Sequence, residues 1–495
     1  MTVEEPIPQN RENEQLRAEN EQLRAENAAL KKQVAQLEAL VAELQARLEE
    51  LERGNKRQAA PFSKGPPKAN PKKPGRKRGH LAAHRARPRR VDEVLEAALP
   101  RVCPACGGAV KEERMEVQYQ VDLPPVEPVV TQFNVQIGQC RKCGQRVQGR
   151  HAQQTSDALG AAAVQLGPRA LGLAAELKHE VGVPYGKIAG VYARGFGLPV
   201  CRAALARADQ RLAQRCLPLY TKLIEILRAS QRACVDETGW KVGGRLAWLW
   251  VFTNEAVTLY WIDPRRGHEV VERILSADFG GRLHCDCFLA YNPLAYDQQK
   301  CLQHLLRRCD ELGEVKSGPA LKFSQRVAAL LRGAIHLKHR REKRKISAQG
   351  FAVARGKLEA ALDRLLARSY TDSENARLAK LLRKHREQLF PFLYDPAAAP
   401  TNAEAEREIR PAVAVRKMSA CNRSPAGAAT HAVLTSVIRT CRKREQSFLQ
   451  LTAELLQHPH RLLPKVWQRL FKLEPSEHQF ALPIPEFAHS PPAST

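Results

Sequence analysis

Leucine recurs every seven residues at Leu16, Leu23, Leu30, Leu37, Leu44 and Leu51, and the positions three earlier hold Asn13, Asn20, Asn27, Val34, Val41 and Leu48. An apolar seam repeating every 3.5 residues stays on one side of a gently supercoiled helix and has to be covered by a second helix. Residues 10–53 are therefore expected to form a leucine-zipper coiled coil, and the chain to form a homodimer through it. Asparagines at the earlier positions cost stability, yet a buried amide paired with its mate favours a parallel two-stranded register. A solitary charged helix or an intramolecular hairpin is the competing reading.

Gly54 closes the heptads, and Lys56 to Arg90 contains thirteen Lys or Arg, no acid, and frequent Pro and Gly. Such a segment cannot bury a core, so 54–92 reads as a basic disordered linker. Arg76, Lys77 and Arg78 are its candidate phosphate contacts, and a solvated spacer is the alternative. The formal net charge of +27 and pI near 9.8 extend the argument to the whole chain, favouring a polyphosphate partner over a neutral metabolite. A length of 495 residues suits two to four domains at roughly 100–200 residues each. No stretch approaches the ~20 apolar residues of a membrane span. Met1 to Asn10 is polar, so the thirteen cysteines are read in a reducing, cytoplasmic setting, without a membrane partner.

Two C-x-x-C pairs, Cys103 with Cys106 and Cys140 with Cys143, flank sequence that looks largely strand-like from Val117 to Ile137. Paired knuckles direct four thiolates at one tetrahedral ion, which predicts a structural Zn2+ in a small module at 93–155. Four thiolates saturate the ion and leave no position for catalysis. Residues 156–228 then read as helical, at Ala170–Val181, Pro184–Tyr192 and Cys201–Leu212. This spacing fits a helix-turn-helix with Lys187 as a DNA contact, and equally a plain helical bundle.

Alternation returns at Ala233–Asp236, Leu246–Phe252 and Val257–Trp261, predicting three meandering strands, a helix over Gly267–Ile274 and a fourth strand over Gly281–Cys285. That order opens a ribonuclease-H-like α/β core, expected over 229–450 with a helical insertion at about 322–392 and a C-terminal tail at 451–495. Asp236 and Asp286 each end an apolar run, where a charge is costly unless it binds something. With Glu406 they make a candidate set for two Mg2+ or Mn2+ ions, the arrangement that clamps the attacking and leaving oxygens of a phosphoryl displacement. Arg407, Arg410, Arg416 and Lys417 follow Glu406 as candidate DNA contacts. Two further readings stay open: Cys301 and His304 as metal ligands or polar support, and Trp240 as a base-stacking platform or core.

Val235-Asp236-Glu237-Thr238-Gly239-Trp240, Asp286 with Ala290-Tyr291-Asn292, Cys301 with His304, and Asn402 with Ala405-Glu406-Arg407 and Ile409-Arg410-Pro411 resemble transposases of the insertion sequence 66 family, bacterial DDE enzymes. The likeness covers nearly the whole chain, including the order of zipper, four-cysteine module and helical segment. It implies Asp236, Asp286 and Glu406 as ligands of the catalytic cations, and double-stranded DNA, as transposon ends and target, as the partner. It also implies helper proteins encoded beside the element, and a nucleoid-associated place in a bacterial cytoplasm. Two positions depart from the family pattern: Cys287-Phe288 replaces a Gly-aromatic pair, and Ser419-Ala420-Cys421 replaces Ser-Gly-Gly. A non-catalytic dimeric DNA-binding regulator, an inactive copy and a structure-specific nuclease are the alternatives.

Overall fold

The structure, a computed structural model, describes residues 9–56 and 85–457, together with 466, 468 and 469. Most of the basic linker, including Arg76, Lys77 and Arg78, and most of the C-terminal tail lie outside the described residues. The first element is α1 (Gln9–Lys56), on which Leu23, Leu30, Leu37 and Leu44 are each more than half exposed. No helix among the described residues is long and apolar enough to cross a membrane.

Strands β1 (Ile137–Gln139) and β2 (Arg146–Gln148) form a small antiparallel ribbon. The sequence upstream of β1 differs from its expectation, because Val117 to Gln136 holds no strand. Pro124, Pro125 and Pro128 lack the N–H that a ladder needs, and Val117, Val121 and Leu123 find no surface to bury against.

Three helices follow, α2 (Pro168–His179), α3 (Tyr185–Gly195) and α4 (Arg202–Arg228). The last runs far beyond the Leu212 boundary expected for it. Its inward residues explain the length: Leu212, Cys216, Leu219, Leu223 and Leu227 recur at helical spacing and are buried in the core of the sheet that follows.

That sheet comprises β3 (Arg232–Val242), β4 (Arg245–Thr253), β5 (Thr258–Asp263), β6 (Arg282–Cys285) and β7 (Gln298–Lys300), in the order β5-β4-β3-β6-β7. The first three strands pair antiparallel, while β6 pairs parallel to β3 and β7 parallel to β6. Helix α5 (His268–Leu275) provides the crossover between β5 and β6. Both faces are covered, so β4 and β5 are continuous apolar runs instead of alternating ones. Trp250, Phe252, Leu259 and Trp261 face the core built with α4. Leu249, Val251, Tyr260 and Ile262 face the opposite way, toward Ala412 and Val415.

Between β7 and the last helices lies a helical unit with its own apolar core, running from Leu302 to Ala398. It comprises α6 (Leu302–Val315), α7 (Gly318–Glu342), α8 (Ala348–Leu366) and α9 (Ser373–Lys384). The shared core starts one helix earlier than the expected insertion boundary, because Leu302, Leu305 and Leu306 of α6 pack with Val327 and Leu331 of α7.

The chain returns to the sheet through α10 (Ala403–Ser419), which packs on β3 and β4, then α11 (Pro425–Lys443) against β5 and α4, and α12 (Phe448–Gln457). Between α10 and α11, Ala420 and Cys421 both adopt left-handed backbone, with φ of 63° and 57°. The turn is held because Asn422 N donates to Lys241 O at 3.2 Å, Gly243 N donates to Asn422 O at 3.0 Å, and Trp240 Nε1 donates to Asn422 Oδ1 at 2.8 Å. A left-handed L-residue costs about 1–2 kcal/mol, part of which glycine gives back through its freer unfolded chain. Ala420→Gly is therefore expected to raise stability by about 0.5–1 kcal/mol in denaturant unfolding. An unchanged or lower midpoint at equal slope would contradict the strain.

Candidate active site

The site begins with strand register. Cys234 of β3 pairs with His284 of β6, so continuing the same parallel register by two residues sets Asp236 level with Asp286, just past the end of β6. Side chains alternate along β3, which puts Asp236 on the face shared by Cys234 and Trp240, and α10 covers that face. Each aspartate is steadied by the local backbone: Glu237 N donates to Asp236 Oδ1 at 3.0 Å, and Phe288 N donates to Asp286 Oδ1 at 2.9 Å.

Glu406 stands in the first turn of α10, whose N-terminus is fixed by Asn402. The buried Asn402 side chain donates to Val235 O at 2.7 Å, next to Asp236, and its backbone N–H donates to Cys301 Sγ at 3.1 Å. Helical geometry sorts the three glutamates at 404, 406 and 408. At 100° per residue, Glu404 and Glu408 lie about 40° apart, and Glu406 points about 160° from either. Glu404 meets Lys443 at 3.0 Å and Arg232 at 3.2 Å, while Glu408 takes the forked guanidinium of Arg439 at 2.9 and 3.2 Å. Both are thus neutralised by fixed cations. Glu406 instead meets His304, with Nε2 at 3.6 Å from Oε1, and Cys301, with Sγ at 3.9 Å from the same oxygen.

Asp236 feels the neighbouring acids. Burial, and then the charges of Glu237, Asp286 and Glu406, push the Asp236 carboxyl up to about 7. Uncompensated carboxylates in a partly buried site repel one another, and this three-acid donor set fits hard divalent cations, which take oxygen ligands and would relieve that repulsion.

Several residues here went unassigned in the sequence reading. Glu237 points to the other face of β3, where it accepts from Arg266 at 2.9 and 3.1 Å and from Tyr291 Oη at 2.8 Å. Burial raises the Glu237 carboxyl, against the lowering effect of the Tyr291 hydrogen bond. Arg266 also lies 4.2 Å from the ring centre of Trp248 and 3.9 Å from that of Phe288. Glu237 and Tyr291 both stand in the stretches that carry the resemblance, but nothing in sequence pairs them or adds Arg266, because the partners are 29 and 54 residues away.

The remaining candidates separate clearly. Trp240 is 1% exposed and stacks on His431 with ring centres 5.4 Å apart, so it belongs to the core and no base can reach it. Lys187, Arg407, Arg410 and Lys417 are exposed. Arg416 is partly buried and donates to Thr238 Oγ1 at 3.0 Å and to Gly239 O, bracing β3. The cysteine pairs form knuckles: Gly107 N donates to Cys103 O and Gly144 N to Cys140 O, each at 2.9 Å. Gly107 and Gly144 take φ of 73° and 72°, as such turns require. Within each pair one thiol bonds the other, and backbone N–H groups followed by that contact hold Cys103 and Cys140 below the ordinary thiol range.

The raised Asp236 carboxyl has a pH consequence. Between its ordinary value near 4 and about 7 the folded state holds a proton that the unfolded chain has released. Metal-free stability from this group is full below pH 4 and is lost as pH rises to 7. Asp236→Asn should remove that loss, leaving the metal-free variant on the order of 2–4 kcal/mol more stable than wild type at pH 8, with little difference at pH 4. Denaturant unfolding in EDTA across this range checks it, and parallel pH profiles would refute it.

Residues 163–430 match the family described as "Transposase IS66 family". The match includes all three carboxylates. A curated relative from Sinorhizobium fredii (strain NBRC 101917 / NGR234), "Uncharacterized protein y4qI", is 25% identical over 407 residues, spanning 75% of this chain and 72% of the relative. With more than half of its length matched, across the sheet, the helical unit and α10 alike, this chain belongs to the IS66 family of transposases.

Proposed function

We propose that the chain is a DDE transposase that binds the terminal inverted repeats of its insertion sequence and catalyses metal-dependent DNA cleavage and strand transfer. The observation that carries this reading is the β3–β6 register that levels Asp236 with Asp286, with Glu406 delivered to the same face by the Asn402 clamp. The strand order supports a ribonuclease-H-like catalytic core within 229–450. Asp236, Asp286 and Glu406 would hold two Mg2+ or Mn2+ ions, which supply charge neutralisation and activation of the attacking oxygen. The protein's own part is positional: the backbone N–H groups of Glu237 and Phe288 aim the aspartates, and Lys and Arg side chains occupy Glu404 and Glu408 while Glu406 meets His304 and Cys301. Water is the first nucleophile and the exposed 3′-hydroxyl the second, with no covalent enzyme intermediate.

DNA contact is assigned to exposed Lys187 of α3, to Arg407, Arg410 and Lys417 of α10, and to Arg76, Lys77 and Arg78 of the linker. Arg416 supports this surface from beneath. A structural Zn2+ is assigned to Cys103, Cys106, Cys140 and Cys143 in the module at 93–155: each knuckle turn pairs its own two thiols, and binding would require the two pairs, not gathered into one cluster among the described residues, to close on one ion. The exposed leucine stripe of α1 supports a parallel homodimer, which brings two DNA ends together. Helper proteins and a nucleoid-associated, cytoplasmic setting complete the reading.

Two outcomes are expected. On labelled DNA carrying the gene's own flanking ends, wild type should cleave and join strands with Mg2+ or Mn2+. Asp286→Ala should lower that rate by on the order of 1000-fold while still binding the fragment. Tight binding by both proteins, with no cleavage by either, would favour the regulator or an inactive copy. Separately, Leu30→Lys combined with Leu37→Lys should halve the mass seen by sedimentation. A dimer that survives both charges would place the dimer contact elsewhere.

A further inference from the structure

Beside the three carboxylates, the sulfur of Cys301, a ring nitrogen of His304 and a carboxylate oxygen of Glu406 all lie within 4.8 Å of one another. The two contacts to Glu406 Oε1 are 3.9 Å from Cys301 Sγ and 3.6 Å from His304 Nε2. A tetrahedral zinc with bonds of about 2.0–2.3 Å sets its ligand atoms roughly 3.3–3.8 Å apart, so these separations need only small side-chain adjustments. From this geometry we infer that Cys301, His304 and Glu406 form a separate zinc-type site, with Glu406 shared between it and the reactive carboxylates.

The donor chemistry separates the two sites. Thiolate with imidazole selects a borderline-soft cation such as Zn2+, whereas carboxylates alone suit Mg2+ and Mn2+. Backbone geometry already points at the sulfur: Cys301 caps the N-terminus of α6, and Asn402 N–H donates to Sγ at 3.1 Å. The ring of His304 is not spent on packing polarity, because its buried Nδ1 has no hydrogen-bond partner. As the sulfur–zinc bond forms, the Cys301 thiol releases its proton to solvent, and three protein ligands leave a fourth position for water. A filled site draws Glu406 toward α6 and away from the hard cations, so zinc inhibits the Mg2+-dependent reaction.

The inference rests on Glu406 being a ligand of the reactive cations, and the test keeps the two apart. Full-length wild type, Cys301→Ser, His304→Ala and Asp286→Ala are titrated with Co2+ and Zn2+, reading stoichiometry and the thiolate-to-cobalt absorption. Wild type should bind one equivalent more than Cys301→Ser, and His304→Ala should weaken that equivalent by at least about tenfold. Asp286→Ala should retain it in full while losing cleavage, and its retention together with wild-type-like cleavage would sink the reactive-site reading alone. Equal stoichiometry and equal absorption in wild type, Cys301→Ser and His304→Ala would overturn the zinc site. Should Cys301→Ser fail to fold by circular dichroism, His304→Ala decides the matter.

Discussion

The tie between Asn402 and the edge of Asp236 is the interaction on which the site's assembly depends. One side chain bonds the strand at Val235, its own backbone bonds the start of α6 through Cys301, and it opens the helix that carries Glu406. A glutamate 170 residues downstream of the first aspartate would otherwise have no reason to face it, and loop closure over that distance has an entropic cost. The charges on either side of Glu406 reinforce the tie. Lys443 and Arg232 hold Glu404, and Arg439 holds Glu408, so the first turns of α10 are pinned from the sheet and from α11 at once. Both anchors are partly buried, and removing one partner from such a pair is far more damaging than never having had it.

The same anchoring reaches the helices ahead of the sheet. Arg439 also meets Glu180, at the C-terminal end of α2, at 2.8 Å. His179 bridges Asp209 of α4, at 3.0 Å, and His431 of α11, at 2.9 Å, and His431 in turn stacks on Trp240 of β3. Burial, followed by the positive charge felt from His179 and Lys178, drives the His431 imidazole far below its ordinary range. With the inner half of α4 in the core of the sheet, the helical segment and the sheet are packed together.

Much of the sheet was legible because its signals are local. Gly243-Gly244 between apolar runs announces a hairpin, and the meander β3–β4–β5, helix α5 and strand β6 fall close to where patterning put them. Asp236 and Asp286 stood out because each closes an apolar run. Illegible were the features whose cause is distant: the reach of α4, set by the sheet it covers, and the start of the helical unit at Leu302, set by α7. Val117 to Gln136 misled because β-branched content outweighed three prolines in the reading, whereas the ladder obeys the prolines. Trp240 and Arg416 look like ligand-facing residues in sequence, and only packing shows them turned inward against His431 and Gly239. Glu237 was hidden by its neighbour, since adjacent strand residues face opposite ways and its partners come from the loop before α5 and the segment after β6.

Two consecutive left-handed L-residues at Ala420 and Cys421 sit in the turn whose Asn422 holds the far end of β3. That strain sits at the C-terminal end of α10, the opposite end from Glu406. Relieving it changes no chemistry, so glycine at either position is a natural second-site suppressor, able to rescue folding defects arising elsewhere in the core without restoring a lost contact.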